Sequence, residues 1–127
     1  MYTFKKEERL CNKKLIEKPF HNGSSFLCYP FKASWLLVDE ATQFPAQILF
    51  SVSKKRFKHA TDRNLIKRRM REAYRLNKQQ YLYDLLNGAD KKIVLSLGYI
   101  GKEITASDFI EKKMQKLLTQ LCAEIVK

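Results

Sequence analysis

The hydrophobic and polar positions of this chain change their period several times between residue 26 and the C-terminus. Residues 26–38 are rich in aromatic and other apolar side chains that partly alternate with polar ones, which is typical of a half-buried strand, with Pro30 marking a bulge or an edge. Residues 47–53 predict a second strand antiparallel to the first, and residues 92–99 predict a third that is apolar enough to be central. We therefore expect three strands in one sheet.

Two longer segments instead repeat their apolar residues every 3.6 positions, which indicates amphipathic helices. The repeating positions are Ile66, Met70, Ala73 and Tyr74 within residues 61–76, and Ile110, Met114, Leu117, Leu121 and Ile125 in the final helix that Ser107 opens. Thr61 or Asp62 is the predicted cap of the first helix. Residues 79–86 continue as a second helical piece that stops at Asn87-Gly88, a pair suited to a left-handed exit.

The order of these elements defines the expected fold. A short helix capped by Asn12 comes first, so the order is helix, strand, strand, helix, strand, helix. That order predicts an α+β fold, a two-layer sandwich in which helices pack on a mainly antiparallel sheet. The connection through the long helix could also make two strands parallel neighbours. A chain of 127 residues that is 45% hydrophobic can bury one core, so we expect residues 1–127 to form a single domain.

The net charge of the chain, and where it lies in the sequence, predict the kind of partner that the protein binds. The formal net charge is +12, and +9 of it lies between residues 54 and 78, which hold 11 Lys and Arg residues against Asp62 and Glu72. Because a charge of this size is destabilising unless something neutralises it, the partner is expected to be a polyanion: RNA, DNA or an anionic membrane. On the helix of residues 61–76 the cations share one face, opposite the apolar stripe. This basic face consists of Asn64, Lys67, Arg68, Arg71 and Arg75.

The basic face predicts contact with nucleic acid rather than simple solvation. A solvated helix ordinarily carries Glu–Lys pairs four residues apart, and this face carries almost none. Arginine side chains can donate two parallel hydrogen bonds to phosphate oxygens, and Asn64 can both donate to and accept from a ribose or a base edge. The loop before the helix extends the same surface. This basic loop, residues 54–59, contributes Lys54, Lys55 and Arg56.

The cysteines, the lengths of the apolar runs and the acidic residues further limit the possible functions of the protein. Cys11, Cys28 and Cys122 are scattered and odd in number, which favours reduced thiols over disulfides or a metal role. No apolar run approaches the ~20 residues of a membrane span, and the N-terminus has no apolar signal region, so we expect a soluble, cytoplasmic protein without a membrane partner. The acidic residues lack metal-ligand spacing, and no nucleophile motif is present. The residues alone predict an RNA or DNA binder without catalytic groups.

Three motifs together resemble the protein subunit of bacterial ribonuclease P. They are SVSKK at residues 51–55, A-x-x-R-N-x-x-K-R at residues 60–68 and R-E-A-Y-R at residues 71–75. The other segments follow the family's order, so the resemblance covers most of the chain. It implies a fold similar to the second domain of ribosomal protein S5. It also implies a monomeric partner of a catalytic RNA that removes the 5′ leader of precursor tRNA, with magnesium bound mainly by the RNA.

The resemblance also assigns roles to residues. The signature helix that contacts the catalytic RNA corresponds here to Arg63, Asn64, Lys67 and Arg68. Phe20, with Phe31 and Trp35, corresponds to the aromatic side of a cleft that holds the single-stranded leader. Stacking of a base on such a ring is worth ~1–3 kcal/mol and tolerates varied sequences, as a leader requires.

One position departs from the family, and two other functions stay open. The signature usually reads Arg-Asn-Arg, and its third position here is Leu65, which lies away from the basic face and is expected to remove one RNA contact. Arg69 is a candidate to replace the RNA contact that is lost at Leu65. A structural ribosomal protein would share the charge, size and fold. A helix-turn-helix DNA binder would place residues 61–76 in the major groove, although a strand and a Lys-rich loop precede them.

Overall fold

The computed structural model describes residues 24–38 and 45–125. The elements are β1 (Ser24–Cys28), β2 (Phe31–Val38), β3 (Ala46–Val52), α1 (Ala60–Lys78), a π-helical turn (Gln79–Tyr83), α2 (Asp84–Gly88), β4 (Lys92–Tyr99) and α3 (Ser107–Ile125). The predicted N-terminal helix with its Asn12 cap lies outside the described residues. The predicted bounds of β4 and the predicted start of α3 are confirmed.

The described strands form one mixed sheet in the order β1-β2-β4-β3. β2 pairs antiparallel with both β1 and β4, whereas β3 and β4 are parallel. The α+β fold with a mainly antiparallel sheet is therefore confirmed, and so is the parallel neighbour pair joined through the long helix. β3 does run antiparallel to β2, but β4 lies between them. The likeness to the second domain of ribosomal protein S5 stays a prediction.

The single strand predicted over residues 26–38 is wrong, because the chain turns back on itself there. β1 and β2 form a hairpin in which Cys28 pairs with Phe31, and the turn holds Tyr29 and a cis Pro30. Proline has no N–H to give to a strand ladder, so it fits a turn better than a strand interior. The carbonyl of Pro30 accepts a bond from the N–H of Ile100 at 2.7 Å. Pro30 therefore marks a turn, not a bulge.

One face of the sheet packs against α1 and α3 to form the core. Alternate residues of the paired strands share this face, since Phe31 lies opposite Tyr99 and Trp35 lies opposite Leu95. The helices contribute the stripes that periodicity predicts, and all nine predicted positions are buried: Ile66, Met70, Ala73, Tyr74, Ile110, Met114, Leu117, Leu121 and Ile125. These side chains fix which side of α1 faces inward.

The ends of the helices differ from the predicted ones. α1 begins at Ala60, its cap is His59, and the side chain of His59 makes no capping hydrogen bond, so neither Thr61 nor Asp62 is the cap. The left-handed residue near the exit of α2 is Asp90, with φ of 53°, and not Gly88. Asp90 can occupy this region because short polar side chains tolerate it better than most. Local residue preferences indicated both boundaries only to within a few positions.

Two of the cysteines confirm the prediction of reduced thiols, and Cys11 lies outside the described residues. Cys28 and Cys122 are free and buried. The thiol of Cys122 donates to the carbonyl oxygen of Tyr81 at 3.0 Å. Burial raises the pKa of Cys122, so its reactive thiolate form is scarce at neutral pH. Both side chains act as small packing groups.

Gly101 and Gly88 provide a matched test of how tightly the turn after β4 is packed. A Cβ at Gly101 would lie 2.9 Å from two ring carbons and the hydroxyl oxygen of Tyr99, whereas a Cβ at Gly88 would meet nothing within 4 Å. The Tyr99 ring cannot easily move aside, because its hydroxyl is bonded to the carbonyl of Glu103 at 2.6 Å. We expect Gly101→Ala to lower the free energy of unfolding by about 1–3 kcal/mol.

Gly88→Ala is the control for this prediction. It should leave the free energy of unfolding unchanged or raise it by up to about 1 kcal/mol, because alanine is the better helix residue. Urea denaturation of both variants measures the difference. Equal stability of the two variants would contradict the close approach of Gly101 to Tyr99.

Candidate nucleic-acid interface

The basic face of α1 is exposed opposite the buried stripe, as the sequence predicts. Asn64, Arg68 and Arg71 are exposed, and Lys67 and Arg75 are half-buried. The inward side is fixed by Ile66, Met70, Ala73 and Tyr74. A helix of 19 residues spans ~28 Å, so the face can reach several successive phosphates of a nucleic acid. The packing of one side therefore holds the charged side rigidly towards solvent.

Arg75 is the member of the basic face that has an acidic partner. Its guanidinium donates two hydrogen bonds to the carboxylate of Glu72, three residues earlier on the same helix. The hydrogen bond from Arg75 lowers the pKa of Glu72, so the carboxylate stays charged at neutral pH. Both groups are solvent-accessible, so the pair contributes little to stability. Its effect is to neutralise part of the charge at the C-terminal end of the face.

The other members of the face are available to a partner. Within residues 24–38 and 45–125, no side-chain hydrogen bond or ion pair holds Asn64, Lys67, Arg68 or Arg71. Three cations and one amide therefore have donors that no described residue of the protein satisfies. An anion that replaces water around them gains charge-assisted hydrogen bonds.

Arg63, which the resemblance places among the RNA contacts, is half-buried in the first turn of α1. Its Nη1 donates to the carbonyl oxygen of Phe57 at 2.8 Å and to that of Lys58 at 2.9 Å. The guanidinium thus lies between the start of α1 and the end of the basic loop. Its structural role is to tie these two segments together.

The basic loop is anchored at several points while its lysines stay exposed. Phe57 is buried, with its ring centroid 6.0 Å from that of Tyr99. Arg56 Nη1 donates to the carbonyl of Ile100 at 2.8 Å. Lys54 and Lys55 are exposed, as predicted. The loop therefore presents cations beside α1 from a fixed backbone.

Sequence reasoning missed the contribution of residues 100–106. The carbonyl oxygens of Ile100 and Thr105 accept hydrogen bonds from Arg56 and Arg69, so this connection is bound to the basic loop and to α1 at once. Arg68, Arg69, Glu72 and Ser107 line an open depression of about 290 Å³ beside it. Nothing in the sequence signals these contacts, because main-chain carbonyls accept them. Arg69 is thus committed to a protein contact, and Leu65 is half-buried beside the face.

Two of the three rings predicted to line a leader cleft, those of Phe31 and Trp35, lie in the core. Phe31 has no exposed surface, and its centroid is 6.1 Å from that of Tyr99 in an edge-to-face contact. Trp35 is 8% exposed. A base cannot stack on a ring whose faces are covered, so we assign Phe31 and Trp35 to the core as a correction. Phe20 lies outside the described residues.

The opposite face of the sheet has a different character. Lys32 and Leu27 are exposed there and pair across the β1–β2 hairpin. Ser34 and Ser96 are buried and pair between β2 and β4. This face combines a cation with small hydroxyl groups, and α1 and α3 pack on the other side.

The described part of the chain contains neither a cluster of metal ligands nor a membrane-spanning helix. No group of three or more His, Cys, Asp or Glu side chains within residues 24–38 and 45–125 could hold a metal ion. In those same ranges, no helix is both long enough and apolar enough to span a membrane.

Comparison with known proteins gives a consistent match. The sequence model of the family described as Ribonuclease P matches residues 4–122. The ribonuclease P protein component of Porphyromonas gingivalis is 33% identical over 124 residues, which cover 98% of this chain and 90% of the relative. That of Chlorobium phaeobacteroides is 42% identical over 81 residues, which cover 61% of this chain and 56% of the relative.

Solved structures agree at the level of the fold. The RNase P protein of Staphylococcus aureus superposes with a TM-score of 0.68 at 21% identity, covering 90% of this chain and 94% of that one. The RNase P protein from Thermotoga maritima also gives 0.68, at 22% identity, covering 89% and 96%. With a family match over residues 4–122 and a relative that aligns along nearly the whole chain, this chain belongs to the ribonuclease P protein family.

Proposed function

We propose that this chain is the protein component of a ribonuclease P ribonucleoprotein and binds its catalytic RNA through the basic face and the basic loop. The observation that carries the proposal is the set of outward-facing donors on α1 that no described residue satisfies, in a chain of this family. Phosphates of a folded RNA supply the matching acceptors. The affinity gained comes largely from release of counterions, so it should fall steeply with salt.

In this proposal the RNA carries the chemistry and the protein acts by electrostatics. Hydrolysis of a phosphodiester in a ribonucleoprotein of this type needs metal ions that are positioned at the scissile bond. We assign the magnesium ions to the RNA, as the resemblance to the family implies. The protein lowers repulsion between RNA phosphates, which reduces the magnesium concentration that folding and substrate binding require.

The substrate is a precursor tRNA with its 5′ leader. The face of the sheet that bears Lys32 is a better candidate for the leader than the face that bears Phe31, because Lys32 is exposed and Phe31 is not. An exposed cation suits a strand of varied sequence, because it binds the phosphate backbone and not the base edges. The monomeric state and the cytoplasmic location stay predictions.

Reconstitution tests the proposed function. Purified protein added to a bacterial ribonuclease P RNA transcript at low magnesium should restore removal of the 5′ leader, on the order of tenfold or more above RNA alone, because its charge replaces part of the magnesium requirement. Cleavage is followed on a labelled precursor tRNA. The complex should also bind the precursor more tightly than mature tRNA.

A ribosomal RNA fragment of similar length and a DNA duplex are the matched competitors. Equal affinity for the ribosomal fragment, with no restored cleavage, would favour the structural ribosomal protein. Preference for the duplex would favour the DNA binder. Either result would reject the proposed function.

A further inference from the structure

We propose that Arg63 is a positioning residue for RNA binding: it holds the basic loop against α1, and it acts through Lys54, Lys55 and Lys58 and not through a phosphate contact of its own. The inference rests on the proposed function, because it concerns how the same RNA-binding surface is built. It gives a different role to a residue that the resemblance to the family places among the RNA contacts.

Hydrogen bonds join Arg63 to the end of the basic loop. One terminal nitrogen, Nη1, donates to the carbonyls of two successive residues, Phe57 and Lys58, at 2.8 and 2.9 Å. The main-chain N–H of Arg63 donates to the carbonyl of His59 at 3.2 Å in the first turn of α1. Arg63 therefore contacts the last three residues of the basic loop with both its main chain and its side chain.

The start of α1 explains why this contact is needed. His59 gives no side-chain cap, so the chain enters the helix without the usual hydrogen bond that fixes the entry angle. Arg63 does not replace that cap, because a guanidinium can only donate and the first-turn N–H groups need an acceptor. It instead donates to the carbonyls of Phe57 and Lys58, which precede the helix, and so ties the loop to α1 where no cap does.

Other contacts hold the rest of the basic loop, so the hydrogen bonds of Arg63 control only the orientation of the loop relative to α1. Phe57 is buried against Tyr99, and the N–H of Phe57 donates to the carbonyl of Ser53 at 3.1 Å. Arg56 binds the carbonyl of Ile100. These contacts join the loop to the sheet side of the molecule. The bonds of Arg63 join it to α1, and they set the spacing between the loop lysines and Lys67.

Geometry also separates Arg63 from its neighbours on α1. Arg63 is half-buried with two protein acceptors, whereas Arg68 and Arg71 are exposed and no described side chain or carbonyl accepts from them. The contact depends on a planar group that presents two N–H bonds from one nitrogen to adjacent carbonyls. A lysine at this position keeps the charge but lacks the rigid planar geometry.

The experiment is a double-mutant cycle on RNA affinity. The loop variant carries Lys54→Ala, Lys55→Ala and Lys58→Ala, and Arg63→Ala is measured in the unmodified protein and in the loop variant. Binding of a labelled bacterial ribonuclease P RNA transcript is titrated at four salt concentrations. We expect Arg63→Ala to weaken binding about tenfold in the unmodified protein but less than about twofold in the loop variant, since contacts that act as one unit are not additive.

Conservative variants and a matched control separate positioning from contact. Arg63→Lys should weaken binding nearly as much as Arg63→Ala, whereas a direct phosphate contact would be largely rescued by the retained charge. Arg63→Gln, which keeps a donor, serves if the alanine variant melts early. Lys67→Ala should weaken binding by the same factor in both backgrounds, because it contributes its own contact.

Limited trypsin digestion of the free protein gives a readout that does not depend on RNA. Cleavage after Lys54, Lys55 and Lys58 should accelerate about fivefold or more in Arg63→Lys, with unchanged cleavage after Lys112 and Lys116 of α3, because local opening of the loop is what the lost bonds permit. Unaccelerated loop cleavage would overturn the positioning role.

The outcomes distinguish this inference from the proposed function. If the unmodified protein binds the RNA and Arg63→Ala costs the same factor in both backgrounds, Arg63 is a direct contact and only this inference fails. If the unmodified protein does not bind the RNA, the proposed function fails, and the digestion still decides whether Arg63 holds the loop.

Discussion

A double variant with Arg68→Glu and Arg71→Glu is expected to bind ribonuclease P RNA on the order of a hundredfold more weakly than the unmodified protein. Both side chains are exposed on α1, and no described residue pairs with either of them. Each substitution removes an attraction to phosphate and adds a repulsion. The fold should be unaffected, because the buried stripe of the helix is untouched.

Salt dependence identifies the cause of the loss. If each arginine contacts one phosphate, the slope of log affinity against log salt should become shallower by about 1.8 in the alanine counterpart, Arg68→Ala with Arg71→Ala. Filter binding or fluorescence anisotropy at several salt concentrations measures this slope. A slope that stays unchanged would mean that the face is merely solvated.

Lys112→Glu with Lys116→Glu is the matched control. These lysines are exposed on α3, and the pair changes the net charge of the protein by the same amount. We expect a loss smaller than about fivefold, because charges away from the contact surface act only through the screened long-range field. Equal losses in the two double variants would show that the RNA responds to total charge and not to the basic face.

The sequence predicted the orientation of α1 because burial of one side of a helix leaves a periodic trace. Ile66, Met70 and Tyr74 recur with the helical period, so the direction of the core follows from them, and the exposed cations follow from the core. The same logic predicted α3. Local pattern thus determines which side of a helix is inside wherever one apolar stripe is present.

The use of each arginine could not be predicted in this way. Arg56 and Arg69 donate to carbonyls 44 and 36 residues away, and Arg63 donates to carbonyls that only the folded loop brings near. Because every residue type has the same main-chain carbonyl, the sequence does not indicate which carbonyls accept these hydrogen bonds. Arg56, Arg63 and Arg69 are the same residue type as Arg68, yet each of them donates a hydrogen bond within the protein.

The aromatic strand shows a second limit of the sequence pattern. Alternation predicts that Phe31 and Trp35 share a face of the sheet, and they do. It does not say which face the helices cover. Both rings lie on the face that the helices cover, so the prediction that they contact a single-stranded ligand assigned them to the wrong face of the sheet. The hairpin at Pro30 was missed for a related reason, since apolar residues on both sides of the turn merge into one run.

A Tyr99→Ala variant is expected to lose about 3–5 kcal/mol of its free energy of unfolding, which is the usual range for removing a buried aromatic side chain. Tyr99 is 2% exposed, and its ring meets the rings of Phe31 and Phe57 at 6.1 and 6.0 Å. Its hydroxyl donates to the carbonyl of Glu103 at 2.6 Å and lies 3.0 Å from the hydroxyl oxygen of Thr105. Such a loss is a large share of the ~5–15 kcal/mol that stabilises a domain.

Tyr99→Phe separates the ring from the hydroxyl. It keeps the contacts with Phe31 and Phe57 and should cost only about 0.5–1.5 kcal/mol, the net contribution of a hydrogen bond. Leu27→Ala is the control for a large apolar residue that is exposed, at 64%, and should stay within about 0.5 kcal/mol of the unmodified protein. Urea denaturation followed by circular dichroism measures all three.

Tyr99 should also matter for RNA binding, because it joins the two segments that flank α1. Its ring supports Phe57 of the basic loop, and its hydroxyl holds residues 100–106, whose carbonyls bind Arg56 and Arg69. Under conditions where Tyr99→Phe is fully folded, we expect the rings to keep the basic loop in place and RNA affinity to fall less than about threefold. In Tyr99→Ala at a temperature where it remains folded, affinity should fall further than in Tyr99→Phe, since the support of Phe57 is gone. If a folded Tyr99→Ala bound RNA as tightly as Tyr99→Phe, the position of the basic loop would not depend on the core beneath it.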